Sequence, residues 1–179
     1  NQRAEGDISG IIPSSGWGYG EFPGPVWDAV MFIIPNALYN YYGTTESIEK
    51  LYPTMERYLA YLQTKEKDGF LTFGLSDWVY WKATTNNEYT STAYYYLDNQ
   101  LMARFASLLG KDPKPYAEKA EALKDRINRK FFHPETATYA EGTQAAQALA
   151  LYLGLVPEGK EQAVADKLHQ LVADNNYFL

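Results

Sequence analysis

Helical periodicity recurs along this sequence in paired segments, and the pairing limits the possible folds more than any other feature. Apolar residues return at spacings of three and four in six stretches, near 25–42, 45–65, 91–109, 115–131, 143–153 and 161–172. The first member of each pair stops at a glycine, Gly43, Gly110 or Gly154, the residue that most easily closes a helix in the left-handed conformation. A short turn and a more charged helix follow each stop. Pro25 suits a first helical turn. Pro53 falls inside the second segment and is expected to bend it or shift its start. No stretch alternates as a half-buried sheet would, although Phe70 to Phe73 is compatible with a short strand.

The two members of a pair differ in kind. Val26 to Ile34 and Ala145 to Leu151 are apolar nearly all round, the mark of a buried helix. The 115–131 segment carries Tyr116, Ala120, Leu123, Ile127 and Phe131 on one stripe, with Glu118, Lys119, Glu121 and Lys124 facing away. Buried and exposed helices alternating in hairpins predict an all-α fold, an inner and an outer ring of an (α/α) toroid. Three hairpins span 1–179 with no internal domain boundary. Turns within pairs are short, whereas 66–90 and 132–142 are long. The long connections should therefore gather at the N-terminal ends of the inner helices, where loops on a rigid scaffold usually carry function.

Composition excludes several classes of partner. The net charge is −6 and the pI about 4.9, and basic residues do not cluster, so a nucleic-acid partner is not expected. There is no cysteine, and the two histidines, His133 and His169, lack metal-ligand spacing. The longest apolar stretch, Val26 to Leu38, is short and contains Asp28, Pro35 and Asn36, so no membrane span is expected. The first residues show neither Met nor a targeting pattern, and the chain reads as a fragment beginning inside a larger protein. Periplasmic or secreted placement is favoured over cytoplasmic.

The expected loop face is rich in aromatics and carboxylates. It includes Gly16-Trp17-Gly18-Tyr19-Gly20-Glu21, Ser76-Asp77-Trp78, Asn86-Asn87-Glu88 and Tyr139-Ala140-Glu141, with Trp27 and Asp28 at the start of the first inner helix. Ring faces beside carboxylates suit a pyranose, whose C–H groups pack on aromatics while its hydroxyls bond acids and amides. Trp27, Asp28, Asp77, Trp78 and Tyr139 are the candidate substrate-binding residues. Each also has a structural alternative. Asp77 suits a turn, Asp28 suits the positive end of a helix dipole, and Glu141 suits the same role before the third inner helix. Glu21 and Glu88 have only their loop location in their favour. No catalytic acid–base pair follows from spacing alone.

These residues resemble a known family. Gly24-Pro25-Val26-Trp27-Asp28-Ala29-Val30, running on to Ile34-Pro35-Asn36-Ala37-Leu38-Tyr39, is similar to a stretch of the α-L-rhamnosidases of glycoside hydrolase family 78. Leu51 to Tyr58, Phe73-Gly74-Leu75-Ser76-Asp77-Trp78, Thr92 to Tyr96, and Thr143 to Leu151 with Gly154-Leu155-Val156-Pro157 resemble its later motifs in order. The resemblance implies about half of an (α/α)6 barrel, a carbohydrate substrate, no cofactor, and inverting hydrolysis of terminal α-L-rhamnosides. The sequence departs from the family at Ser76, where Gly is usual, and at Asn36, where Trp is common. Nothing in it matches the family's general-acid stretch, and the general base belongs to a later hairpin. Both catalytic carboxylates are therefore expected outside this chain. A half ring should also expose apolar surface and self-associate. Two rival readings are another enzyme on the same toroid (trehalase-, glucoamylase- or unsaturated glucuronyl hydrolase-like) and a non-catalytic helical-repeat binding module. The long 66–90 connection speaks against the latter.

Overall fold

The computed structural model describes residues 2–13, 18–20, 22–76 and 84–177. Its elements are helices joined in hairpins: α1 (Pro25–Asp28) running into α2 (Val30–Tyr42), α3 (Glu46–Thr64), α4 (Asn87–Leu108), α5 (Lys114–Phe131), the two-residue strands β1 (Phe132–His133) and β2 (Thr138–Tyr139), α6 (Gln144–Tyr152) and α7 (Glu161–Asp174). The six expected helical segments are all present. The first is divided at Ala29, where Phe32 N–H reaches back three residues to the Ala29 carbonyl at 2.9 Å. Pro53 lies inside α3 and does not displace its start, which follows Thr45 as expected. The inner helices end where the glycines stand: Gly43, Gly110 and Gly154 all have φ between 67° and 69°, where a Cβ would be strained.

Two boundaries differ from expectation. Helix α4 begins four residues early because the Asn86 side chain accepts the Tyr89 N–H at 3.1 Å, capping the first turn. No strand forms at Phe70 to Phe73; Phe70 instead bridges Lys67 across a tight turn. The small hairpin lies later, with Phe132 opposite Tyr139 and His133 opposite Thr138. Strands of two residues are too short to show alternation in a sequence.

The helices pack as hairpins α2–α3, α4–α5 and α6–α7, and α4 also touches α1, α2, α3 and α6. Helices α1/α2, α4 and α6 thus form one row, and α3, α5 and α7 lie outside it. The α5 stripe packs as its spacing predicts, with Ala120, Leu123, Ile127 and Phe131 all buried. The expectation that α2 and α6 are buried all round does not hold for this chain. Val30 is 48% exposed, Ile34 53% and Tyr152 76%. The helix buried along its whole length is α4, whose sequence reads as mixed polar and aromatic.

Candidate functional site

The long connections meet at one end of the row, as the hairpin asymmetry predicts. The Leu75 N–H donates to the Pro23 carbonyl at 2.6 Å, and Asn87 Nδ2 donates to the Gly74 carbonyl at 2.6 Å. The Ser91 hydroxyl donates to the Phe73 carbonyl at 2.7 Å. On the other side, the Thr85 and Thr143 hydroxyls lie 2.8 Å apart, and the Asn86 N–H donates to Glu141 Oε2 at 2.9 Å. Thr143 also caps α6 through the Ala146 N–H. Three chain segments distant in sequence are therefore stitched together above the starts of α1, α4 and α6.

Beneath them runs an open groove of about 460 Å³ between α1, α4 and α6. Val26, Thr90, Tyr94, Ala145, Leu149 and Tyr152 form its walls, and Ser76 its rim. Ala145 and Ala148 leave room in the lining and the tyrosines supply ring faces, which suits a ligand with an apolar face and hydroxyls. Thr90 and Ser76 were not among the candidates. Thr90 reaches the groove as a residue of the first turn of α4, which Asn86 caps, whereas the sequence reading starts this helix at Ser91.

The candidate residues occupy different layers. Trp27 is half-buried on α1, one position from the groove residue Val26. Asp28 is only 3% exposed. The Tyr58 hydroxyl donates to its Oδ2 at 2.8 Å. Burial pushes the Asp28 carboxyl up to about 7, the Tyr58 bond partly opposes this, and the charge of Asp7 adds to it. Asp7 itself is burdened by burial but held below the ordinary carboxylate range by its ion pair with Arg3 and by the Gly20 N–H. Tyr139 is wholly buried; its ring lies against Tyr89 and Phe132, and its hydroxyl donates to Asn128 Oδ1 at 2.6 Å. Its ring and its polar tip are thus both taken up by the core behind the groove. Asp77, Trp78 and Glu21 lie outside the described residues. Glu88 pairs with Lys130 at 2.6 Å on the outer side, and Glu141 bonds Asn86 as above. Among the described residues no group of acidic, His or Cys side chains could hold a metal ion, and no helix is long and apolar enough to cross a membrane.

Helical hairpins in two layers, with long connections collected over a groove at one end, define a piece of an α/α toroid of the six-hairpin glycosidase type. Comparison with known proteins agrees. The whole chain, residues 1–179, matches the family model of the bacterial alpha-L-rhamnosidase 6 hairpin glycosidase domain, and the chain belongs to that family. An alpha-L-rhamnosidase of Streptomyces avermitilis is 31% identical over 99% of this chain and 17% of its own length. The crystal structure of Streptomyces avermitilis alpha-L-rhamnosidase complexed with L-rhamnose superposes with a TM-score of 0.90 at 26% identity, covering 98% of this chain and 17% of that one. An alpha-L-rhamnosidase structure from Dictyoglumus thermophilum gives 0.87 at 31% identity, covering 98% and 21%. The chain thus spans about a sixth of the length of the curated relatives it matches.

Proposed function

We propose that this chain forms part of the catalytic domain of a glycoside hydrolase that removes terminal α-L-rhamnosyl residues with inversion. The observation that carries the reading is the match over the full chain to rhamnosidases, one of them solved with L-rhamnose. In this reading Trp27 and Trp78 offer ring faces to the sugar, and Asp77 accepts its hydroxyls. Asp28 and Tyr139 support the site from behind, since both are buried. Inversion needs an acid and a base set apart on opposite faces of the sugar. We assign both to residues outside this chain. The described carboxylates favour that assignment, because none of Asp28, Glu88 and Glu141 lines the groove, and each already takes a hydrogen bond or ion pair, from Tyr58, Lys130 and Asn86 respectively. Self-association of the 179-residue chain through Val30, Ile34 and Tyr152 belongs to the same reading, and sedimentation tests it; a tight monomer would count against it.

A panel of p-nitrophenyl glycosides offered to the full-length protein tests the activity. Turnover of the α-L-rhamnoside above the others is expected, with β-L-rhamnose as the first anomer seen by NMR. A preference for a glucoside or an unsaturated uronide would move the protein to another toroid enzyme, and no turnover of any glycoside would favour a binding module. Asp77→Ala should lower kcat/KM at least about tenfold, since a hydrogen bond to a charged group contributes roughly 1.5–3 kcal/mol. If Asp77 is a turn residue, the melting temperature falls instead and activity per folded molecule is kept. The 179-residue chain alone should not turn over the rhamnoside.

A further inference from the structure

One buried constellation is not used by that reading. Asp98, in the middle of α4, is fully buried, and among the described residues neither of its carboxyl oxygens has a hydrogen-bond partner. Asp28 on α1 is nearly as buried; its Oδ2 takes the Tyr58 hydroxyl, and its Oδ1 has no partner among the described residues. Helix α1 packs directly on α4. An ionised carboxylate without a donor in such a place is costly, so the protein tolerates the neutral acid far better.

We propose that Asp98 is a positioning residue: Asp28, Tyr58 and Asp98 form one buried unit that holds the first turn of α1 against α4, and with it the Val26 wall of the groove, only while Asp98 keeps its proton. The first negative charge goes to Asp28, the member with a hydroxyl donor; the second is suppressed by the first. The electrostatics agree in direction. Burial, then the charge of Asp28, drives the Asp98 carboxyl well above its ordinary range, and Asp28 loses its proton first, at about 7. The groups facing the two carboxyls are Tyr58 with Tyr61 beside it on α3, Tyr94 and Tyr95 on α4, and Asp7 in the N-terminal segment. Tyr58, Tyr94 and Tyr95 are pushed up by burial, and Asp7 is held low.

The sign follows from linkage. Each carboxyl is harder to ionise when folded than when exposed. Its stabilisation is complete below the ordinary carboxylate pKa and drains away as pH rises toward its folded value. One such proton changes an opening constant by about tenfold per pH unit. Hydrogen exchange of peptides covering α1 and α4 in the full-length protein, corrected for the intrinsic pH dependence of exchange, reads this opening. Between pH 5 and 7 the wild type should open about a hundredfold more per unit, from two protons, and above 7 about tenfold, from one. In Asp98→Asn the opening constant should rise about tenfold per unit below 7 and level off above it. Asp28→Asn should keep the single-proton slope on both sides of 7. Parallel profiles for wild type and Asp98→Asn overturn the proposal, and so does a flat wild-type profile above 7, which needs no variant to fold. The consequence for the groove rests on the rhamnosidase reading. There, Asp98→Asn should hold kcat/KM at alkaline pH where the wild type declines, and an exchange difference without that change removes the positioning role. If the wild type cleaves no rhamnoside, that reading falls, while the exchange profiles still decide the carboxyl pair.

Discussion

Helices α2 and α4 both belong to the inner row, yet they obey opposite rules. Helix α2 is the more apolar in sequence, but only Phe32 and Pro35 of its 13 residues are buried. Helix α4 is interrupted by Thr, Ser, Asp and Asn, but 13 of its 22 residues are buried. Place in the row explains the difference. Helix α4 packs against α1, α2, α3, α5 and α6, whereas the main helix neighbours of α2 among the described residues are α3 and α4. Position decides how much water a helix sees, and composition decides how well it copes with the answer. Helix α4 copes by pairing most of its buried polar groups, Asp98 being the exception among the described residues. Thr92 Oγ1 accepts the Leu71 N–H at 3.0 Å, Asn99 Nδ2 donates to the Tyr95 carbonyl at 2.8 Å, and the Tyr95 hydroxyl donates to Glu66 Oε1 at 2.9 Å. The Tyr89 hydroxyl reaches the Ala146 carbonyl on α6 at 2.9 Å. Such bonds contribute about 1 kcal/mol each, and leaving a buried partner unmade costs more.

The largest test of this contrast compares two truncations. Phe105 is fully buried on α4, and Phe105→Ala should cost about 3–5 kcal/mol in denaturant unfolding. Ile34 stands half-exposed on α2, and Ile34→Ala should cost about 1 kcal/mol or less, because little apolar area returns to water. A cost of several kcal/mol at Ile34 in the full-length protein would break the comparison as drawn. It would mean that another part of the protein covers this face of α2.

Caps sharpen the contrast further. Helix α4 has a side-chain cap at Asn86 and α6 has one at Thr143, while α2 begins at Ala29 with none. Asn86→Ala should cost about 1 kcal/mol. It should also unwind the first turn of α4, so peptides from 87–90 should exchange faster. Thr143→Ala removes both the α6 cap and the bond to Thr85 and should cost about 1–2 kcal/mol. If both changes are silent, the stitching over the groove is held by the chain path rather than by these side chains.

Most of the architecture was legible in the sequence because it rests on local signals. Periodicity located the helices, Gly43, Gly110 and Gly154 marked the ends of the inner ones, and unequal connection lengths placed the loops at one end. What escaped was set by neighbours far along the chain. The exposure of Val30 and Ile34 depends on what lies beside α2, and the burial of Asp98 on α1 and α3 lying over α4. Tyr139 looked like a loop aromatic, but β1 and β2 tuck it behind the groove against Tyr89 and Phe132. The start of α4 was legible in principle, since Asn86 followed by Glu88 is a helix-start signal. The candidate pair Asp77 and Trp78 lies outside the described residues.

The smallest expected effect lies at the exposed edge of α4, where its first turn meets α5. Lys130 donates to Glu88 Oε2 at 2.6 Å, with side-chain exposures of 45% and 23%. An ion pair this open is screened by solvent, so Glu88→Gln should change stability by only about 0.5 kcal/mol or less. Lys130 does more than pair a charge. Its ammonium sits 4.5 Å from the Phe70 ring centre and 5.4 Å from that of Phe131, and its stem covers apolar surface between them. Lys130→Ala should therefore cost about 1 kcal/mol, and Lys130→Gln somewhat less, because Gln keeps part of the stem but not the cation. Equal costs for Glu88→Gln and Lys130→Ala would mean that the ion pair, not ring packing, holds this corner. The same variants address Glu88 as a functional candidate. Neither Glu88 nor its partner on α5 lines the groove, so Glu88→Gln should leave rhamnoside turnover by the full-length protein within about twofold of wild type, well under the factor of ten that 1.4 kcal/mol represents. A loss of ten times or more would return Glu88 to the site and require the first turn of α4 to rotate toward Val26 when the sugar binds.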